Sequence, residues 1–374
     1  MIKQRILQVY KLYYPDAGGI QTVMRDILSG LKNTFRFEVL ASRIRGFGSK
    51  TEIDGIPVQR TFSLGTLLAL PLAPLYLFWF WYKAWRNDIV DYHYPFPLVD
   101  LAVSLWFPKK TKLIIHWHAD IISQQRALKI VAPFIRRTLN RANQIIVATP
   151  IHIEQSSFLR HYREKCEVIP YGIHLNTWSL LNDSEQQEVH DLRGKYRRFM
   201  LAVGRLVPYK GFEIAIKAMQ HVDGILIIVG IGPLEQSLHA LAKTGGVEDK
   251  VIFWQEASHI QLKCLLHAAY CLVFPSILPS EAFGMVQLEA MACRKAIINT
   301  ALASGVPWVA RDGEEALTVP VGDSIALAAA MNRLLTDEAL NKKLGEQGYE
   351  RVKNTFEMSV FLEKTAKVYS ETAR

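Results

Sequence analysis

The chain has 374 residues, half of them hydrophobic and about a fifth charged, a balance that excludes a disordered protein and is too long for one average core. Its four cysteines, Cys166, Cys264, Cys271 and Cys293, stand apart with no CxxC pair, which argues against a zinc cluster or a disulfide framework and for reduced core thiols in a cytoplasmic protein. The net charge of +9 is one-sided: residues 1–176 carry 23 Lys and Arg against 12 Asp and Glu, residues 177–374 carry 21 against 23, and such a field attracts phosphates, nucleic acid or an anionic membrane, although any single cation can simply be solvated.

In chain order, the apolar run near the N-terminus is too short for an export signal. Short apolar strands then alternate with helix-length segments. RILQVY (5–10), FRFEVLAS (35–42), KLIIHWH (112–118), QIIVAT (144–149), FMLAVG (199–204), GILIIVG (224–230), KVIFWQ (250–255), YCLVFPS (270–276) and KAIINT (295–300) read as strands, with helices predicted over 20–33, 126–142, 211–221 and 234–244. That alternation is the pattern of parallel sheets covered by helices. The series restarts near 197 after the polar stretch HLNTWSLLNDSEQQEVHD (174–191), which reads as a linker. The expected architecture is therefore α/β, two doubly wound Rossmann-like domains over residues 1–175 and 176–356, with a ligand cleft between them at the carboxyl ends of the strands.

One segment departs from this pattern. LGTLLALPLAPLYLFWFW (64–81) has the length of a membrane span, but Pro71 and Pro74 interrupt it and Lys83, Arg86 and Asp88 follow at once. A partly buried helix starting near Pro74 and an interfacial helix on a bilayer both fit; Trp79, Trp81, Tyr82 and Trp85 beside a basic half favour surface attachment.

Four stretches carry chemistry. In YYPDAGGIQTVMRDI (13–27), Gly18 and Gly19 let backbone come close to a ligand at a helix mouth, though a tight turn explains them equally. In HWHAD (116–120), strand alternation places His116, His118 and Asp120 on one side if the strand runs past His118, where it is expected to end; the readings are a polar cleft lining, core histidines satisfied by backbone or, less simply, three metal ligands without an obvious fourth. In VGRLVPYKGFE (203–213), Arg205 and Lys210 emerge at the ligand-binding edge of the second sheet, suited to a diphosphate or merely solvated. In SEAFGMVQLEAMA (280–292), a helix starting near Ala282 or Phe283 offers free amides around Gly284 and Met285. It also puts Glu289 on an apolar face with Met285, Leu288 and Ala292. A carboxylate there needs donors, such as vicinal hydroxyls or a Lys or Arg partner; Glu281 accepts a second polyol or caps the helix. GIG at 230–232 lacks the third glycine of a dinucleotide fingerprint, so a dehydrogenase is poorly supported.

Taken together and in this order, these stretches resemble the retaining glycosyltransferases of the GT-B fold, specifically glycosyltransferase family 4, over nearly the whole chain. Glu281 and Glu289 match that family's E-x7-E motif, Arg205 and Lys210 its Arg-x4-Lys pair, Gly18 and Gly19 its glycine loop, and His118 its first-domain histidine. IPYGIH (169–174) resembles its hinge, with Tyr171 where Asn is usual. The resemblance implies a nucleotide-sugar donor held mainly by the second domain. Glu289 would take the ribose hydroxyls, Glu281 a hydroxyl of the donor sugar, and Arg205 and Lys210 the diphosphate. Amides through Ala282, Phe283, Gly284, Met285 and Val286, with Gly18 and Gly19, would complete the anion site, and His118 would reach the donor sugar. It further implies front-face substitution, and a C-terminal helix near 357–374 returning to the first domain. The sequence has no DxD triplet, so no metal and no cofactor are expected.

The phrases YYPDAGGIQTV and SEAFGMVQLEAMA are most similar to bacterial mannosyltransferases that build O-antigen or other surface polysaccharide from GDP-mannose. The implied acceptor is a polyprenyl-diphosphate-linked oligosaccharide and the implied place the inner face of the plasma membrane, where an anionic surface suits the basic half; no nucleic-acid partner is expected. UDP-linked glucose, galactose or N-acetylhexosamine as donor, a sugar-nucleotide epimerase, and a non-catalytic binding protein are the alternatives.

Overall fold

The computed structural model describes residues 3–16, 18–67, 70–120 and 125–373, with residues 125–127 as backbone only. Ala17 of the glycine loop and Leu68 and Ala69 of the apolar segment lie outside the described residues. The chain forms two compact units, one of residues 1–171 with 361–374, the other of residues 172–360.

In the first unit the strands lie in the order Cys166–Val168, Gln144–Val147, Lys112–Trp117, Ile89–Tyr94, Arg5–Val9, Arg36–Ser42, Ile56–Thr61 and Ser49–Ile53. All pair in parallel except the last, which is antiparallel to Ile56–Thr61. Runs such as IVDYHY are buried along their whole length because helices cover both sheet faces. Register places Gln8 opposite Asp91 and His93 opposite His116, so three adjacent central strands carry these polar side chains on one face, in two successive rows.

In the second unit the order is Val251–Trp254, Ile225–Val229, Phe199–Val203, Cys271–Val273, Ala296–Thr300 and Ala316–Val319, all parallel. Strand order reverses between Phe199–Val203 and Cys271–Val273. Loops leaving the two strands on either side of such a reversal part to opposite faces of the sheet, and the crevice between them is where doubly wound folds take ligands.

Two expectations need correcting. Residues 174–191 are not an open linker, since they contain the helices Leu175–Ser179 and Asp183–Tyr196. The second is started by a reciprocal capping box, in which Asn182 accepts from the Glu185 amide and the Glu185 carboxylate accepts from the Asn182 amide. The polarity of the stretch belongs to a cap and a solvated helix face. The predicted helix start at Ala282 or Phe283 falls instead at Met285, because Gly284 at the N-cap is left-handed (φ 79°) and breaks the turn before it.

The apolar segment folds as a short ribbon, Thr66–Leu67 against Leu70–Pro71, followed by the helix Tyr76–Arg86. Tyr76, Phe80 and Ala84 are buried and Trp81 donates its indole N–H to the Ala102 carbonyl (3.0 Å), while Phe78, Tyr82 and Trp85 stand exposed on the outer side. The helix is thus amphipathic with an aromatic outer face. No helix of the described residues is long and apolar enough to cross a membrane.

Candidate active site

The two loops flanking the strand-order reversal in the second unit are stitched together by glycines and backbone hydrogen bonds. After Val203 the chain turns through Gly204 and runs to a short 3-10 turn, Pro208–Lys210, ended by left-handed Gly211 (φ 67°), from which the helix Phe212–Ala218 starts. A Cβ at Gly211 would lie 2.1 Å from the Pro275 carbonyl oxygen, and the Ile277 amide donates to the Tyr209 carbonyl (2.8 Å). No side chain fits between these backbones, so Lys210 is held against the loop that carries the glutamates. The glycines of the GIG stretch have a packing role: a Cβ at Gly230 would meet the Gly204 carbonyl oxygen at 2.0 Å, and one at Gly232 the Leu206 carbonyl oxygen at 2.4 Å.

Glu281 forms an ion pair with Lys210 at 2.5 Å and accepts from the Ser276 hydroxyl at 3.4 Å. The Lys210 ammonium also stands 5.1 Å from the Phe274 ring centre, and the same ring closes on Gly284, where a Cβ would come within 2.9 Å of it. The helix Met285–Ala292 is fastened at its start by buried Gln287, which donates to the Phe283 and Val306 carbonyls and accepts from Asn299. The amides of Met285 and Val286 point out of its N-terminus without an intrahelical acceptor, a positive end suited to anionic oxygen. Ala282 takes part through its carbonyl, which accepts from the Gly305 amide (3.0 Å) and holds the loop.

Glu289 differs from Glu281. Part of its surface reaches solvent, yet protein packs densely around its carboxyl, and this burial raises its pKa from an ordinary 4.5 to about 7, against the opposing pull of Lys210. No side chain among the described residues hydrogen-bonds or ion-pairs with that carboxylate within 4 Å. Arg205 is exposed and extends from its loop without a side-chain hydrogen bond among the described residues. Lys210 thus pairs with Glu281 and lies close enough to Glu289 to pull on its titration, while Arg205 stands exposed on the same loop as Lys210.

In the first unit the helix Gly19–Leu31 starts directly after Gly18. A Cβ at Gly18 would meet only the Gln21 side chain, and one at Gly19 nothing within 4 Å, so this unit's own packing does not demand glycine at 19. His118, just beyond the strand Lys112–Trp117, is buried and bonded at both ring nitrogens, to His93 Nδ1 (2.9 Å) and to the Tyr171 hydroxyl (2.6 Å). Burial, with His93 and His116 nearby, holds its pKa well below the usual histidine range, so the ring is neutral.

Asp120 does not join His116 and His118 as alternation suggested. The strand ends at Trp117, and Asp120 turns back to accept from the Trp117 indole (2.8 Å). The acid beside His116 is instead Asp91 (3.0 Å), and Asp91, His93 and His116 bring one ligand atom each within 4.8 Å of one another. Both nitrogens of His93 are already engaged, with Gln8 and His118, so the group is knitted by its own hydrogen bonds. Asp91, His93, Gln8 and Tyr369 were not singled out from sequence. The D-x-H of the strand Ile89–Tyr94 beside the H-x-H of its neighbour was the available signal.

The family described as glycosyl transferases group 1 matches residues 183–351, and glycosyltransferase family 4 matches residues 17–177. The chain is 34% identical over 269 residues to the D-rhamnosyltransferase WbpZ of Pseudomonas aeruginosa, covering 72% of this chain and 70% of that one. This chain belongs to the group 1 and family 4 glycosyltransferases. It is also 28% identical to the O-antigen chain mannosyltransferase C of Escherichia coli over 98% of both chains. Among solved structures, the UDP complex of HepE from Anabaena superposes with a TM-score of 0.79 at 20% identity, over 98% of this chain and all of that one. WaaG, a glycosyltransferase involved in lipopolysaccharide biosynthesis, superposes at 0.73 with 18% identity, over 97% of this chain and 99% of that one. The fold is GT-B, with two Rossmann-like α/β domains, and the protein is a glycosyltransferase.

Proposed function

We propose that this glycosyltransferase moves mannose from GDP-mannose, with retention of configuration, onto a polyprenyl-diphosphate-linked oligosaccharide in bacterial O-antigen or surface-polysaccharide synthesis. The observation that carries the choice of sugar is the full-length similarity to an O-antigen mannosyltransferase beside a D-rhamnosyltransferase. D-rhamnose is 6-deoxy-D-mannose, so the two relatives' names share one ring configuration.

In this reading the nucleotide sugar lies in the crevice of the second unit. Arg205 grips the diphosphate with its planar fork, and Lys210 and the amides of Gly284, Met285 and Val286 face the same oxygens. Glu289, a carboxylate with no donor of its own, accepts from the vicinal ribose hydroxyls, which is why burying it there is tolerated. Glu281, held by Lys210, orients a donor-sugar hydroxyl next to Phe283, while Gly18, Gly19 and His118 serve the donor from the first domain. As the glycosidic bond breaks, charge grows on the departing diphosphate, and preorganised cations and amides gain more from that growth than from the ground state. That arrangement supplies the role a divalent ion has elsewhere, so no metal is required. The leaving phosphate takes the acceptor's proton on the face from which it departs.

A thermal-shift screen against GDP, UDP, ADP, GDP-mannose and UDP-sugars, each with and without EDTA, tests this. Stabilisation by GDP and GDP-mannose that chelator leaves unchanged is the expected result. Selective stabilisation by UDP would keep the fold and remove mannose; nucleotide-sugar turnover without any acceptor would favour an epimerase.

The outer face of Tyr76–Arg86 supports a place of action at a membrane surface. Phe78, Tyr82 and Trp85 are exposed there, with Arg86 over the Tyr82 ring and Lys110 over the Trp85 ring, and Leu64, Leu67, Leu72 and Leu75 are exposed on the segment that precedes the helix. Aromatics paired with cations suit the headgroup layer, and we assign this face to the inner surface of the plasma membrane. Co-sedimentation with vesicles containing anionic lipid is expected, weakened by salt and abolished in a Phe78→Ser, Trp85→Ser double variant. Equal sedimentation of that variant would remove the face from the proposal.

A further inference from the structure

We propose that Asp91 sets the tautomer of His118 through a directed hydrogen-bond chain, Asp91 to Gln8 to His93 to His118, with Gln8, His93 and Tyr369 as positioning residues. The chain runs across the polar side chains that the three central strands present on one face, with Tyr369 supplied by the helix Met358–Thr372.

The direction follows from which atoms can donate. One end of the Gln8 amide lies 2.8 Å from Asp91 Oδ2 and 2.9 Å from the Tyr369 hydroxyl oxygen. A carboxylate only accepts, and the Tyr369 O–H is itself spent on Asp91, so both need a donor from Gln8. That end is therefore the NH2 group, and the amide oxygen points the other way, at His93 Nε2. An oxygen there demands that His93 Nε2 carry the proton. His93 is buried, and its pKa is held well below the usual range by that burial and by His116, so the ring has one proton only and its Nδ1 is bare. A bare Nδ1 lying 2.9 Å from His118 Nε2 demands the proton on His118 Nε2. His118, also neutral, then has a bare Nδ1, which accepts from the Tyr171 hydroxyl at 2.6 Å. Tyr171 is suited to donate, since burial pushes its phenol pKa far above neutrality.

Each assignment leaves one choice for the next, and all of them originate at the single carboxylate. His118 is left able to accept a hydrogen bond at Nδ1 and unable to give a proton from it. Resting on the donor-side role proposed above, this means that His118 meets a sugar hydroxyl as an acceptor, in the place the Tyr171 hydroxyl holds in this structure.

Long-range proton–nitrogen correlation spectra of protein labelled with nitrogen-15 histidine read this directly, without donor or acceptor, so the result is independent of whether the mannosyltransferase reading survives. Protonated and bare ring nitrogens differ widely in shift, and His118→Gln and His93→Gln identify the two rings. At neutral pH both rings are expected as the Nε2–H form. Gln8→Met should collapse the split for His118 into a mixture of tautomers, whereas Tyr171→Phe, at the far end, should leave Nε2–H in place. His118 found as Nδ1–H or as the cation in the unmodified protein overturns the proposal, as does a change of tautomer in Tyr171→Phe. If Gln8→Met fails to fold, the unmodified and Tyr171→Phe spectra decide alone.

Discussion

Lys210→Met is expected to lower kcat/KM by about 10²–10³, the usual cost of removing one preorganised charge aimed at a developing anion. Most of the loss should fall on kcat, because the cation's interaction with the diphosphate grows as the leaving group gains charge, and equal binding of ground and transition state would appear only in KM. Methionine keeps most of the stem volume against Phe274 and Tyr209, so the expected change in melting temperature is small. The variant also frees Glu281 from its partner at 2.5 Å, and in the proposed mechanism the donor sugar then loses the group that aligns it. Lys210→Arg should restore only part of the activity, since the longer planar fork does not put a compact charge where the ammonium pairs with Glu281. Steady-state kinetics with GDP-mannose and a lipid-linked acceptor check this; an unchanged kcat would remove Lys210 from the transition state.

Glu289→Gln is expected to push binding and stability in opposite directions. Its carboxyl binds a proton more tightly in the folded chain (about 7) than in the unfolded one (4.5), so the folded state holds the extra proton between those values. Below pH 4.5 the group costs nothing relative to Gln; as pH rises to 7 that neutrality is lost, and above 7 the fold carries a charge that its surroundings disfavour. The free variant should therefore be more stable than the parent at pH 8, by up to about 3 kcal/mol and less where solvent screens the carboxyl, and no different at pH 4. Exchanging a charged acceptor for a neutral one should at the same time weaken nucleotide binding by roughly 10–100-fold, the worth of a hydrogen bond to an ion. Paired melts at the two pH values with and without GDP read both effects. A variant less stable than the parent at pH 8 would mean that Glu289 has a partner in the free protein.

How far the sequence reached can be judged from these same residues. The strands were legible because aliphatic runs such as ILIIV have few alternatives when helices follow them, and the loops carrying Arg205, Lys210 and Glu281 and the helix carrying Glu289 were legible because they directly follow recognisable strands. Which glutamate has a partner was not legible. Spacing treats Glu281 and Glu289 alike, whereas left-handed Gly211 and its contact with Pro275 bring Lys210 to the first and leave the second without a donor. The linker misreading has a related cause, since Asn182, Glu185 and their polar neighbours look the same whether they cap a helix or fill a loop. The histidine network was hidden for a different reason: it depends on strand register and on Tyr369, which lies 278 positions from its partner Asp91. No local pattern encodes such a pairing.

That last separation bears on how the protein is made. The sheet of the first unit is translated by residue 171, but Tyr369 and Leu362, whose side chain lies against Gly30, emerge from the ribosome only after the whole second unit. Until then Asp91 lacks one donor and Gln8 one acceptor. Closure of this network is in this sense a late event of synthesis: a chain ending between the two units has Asp91, Gln8 and the histidines and lacks the Tyr369 hydroxyl that bonds to Asp91 and Gln8 and the Leu362 side chain against Gly30.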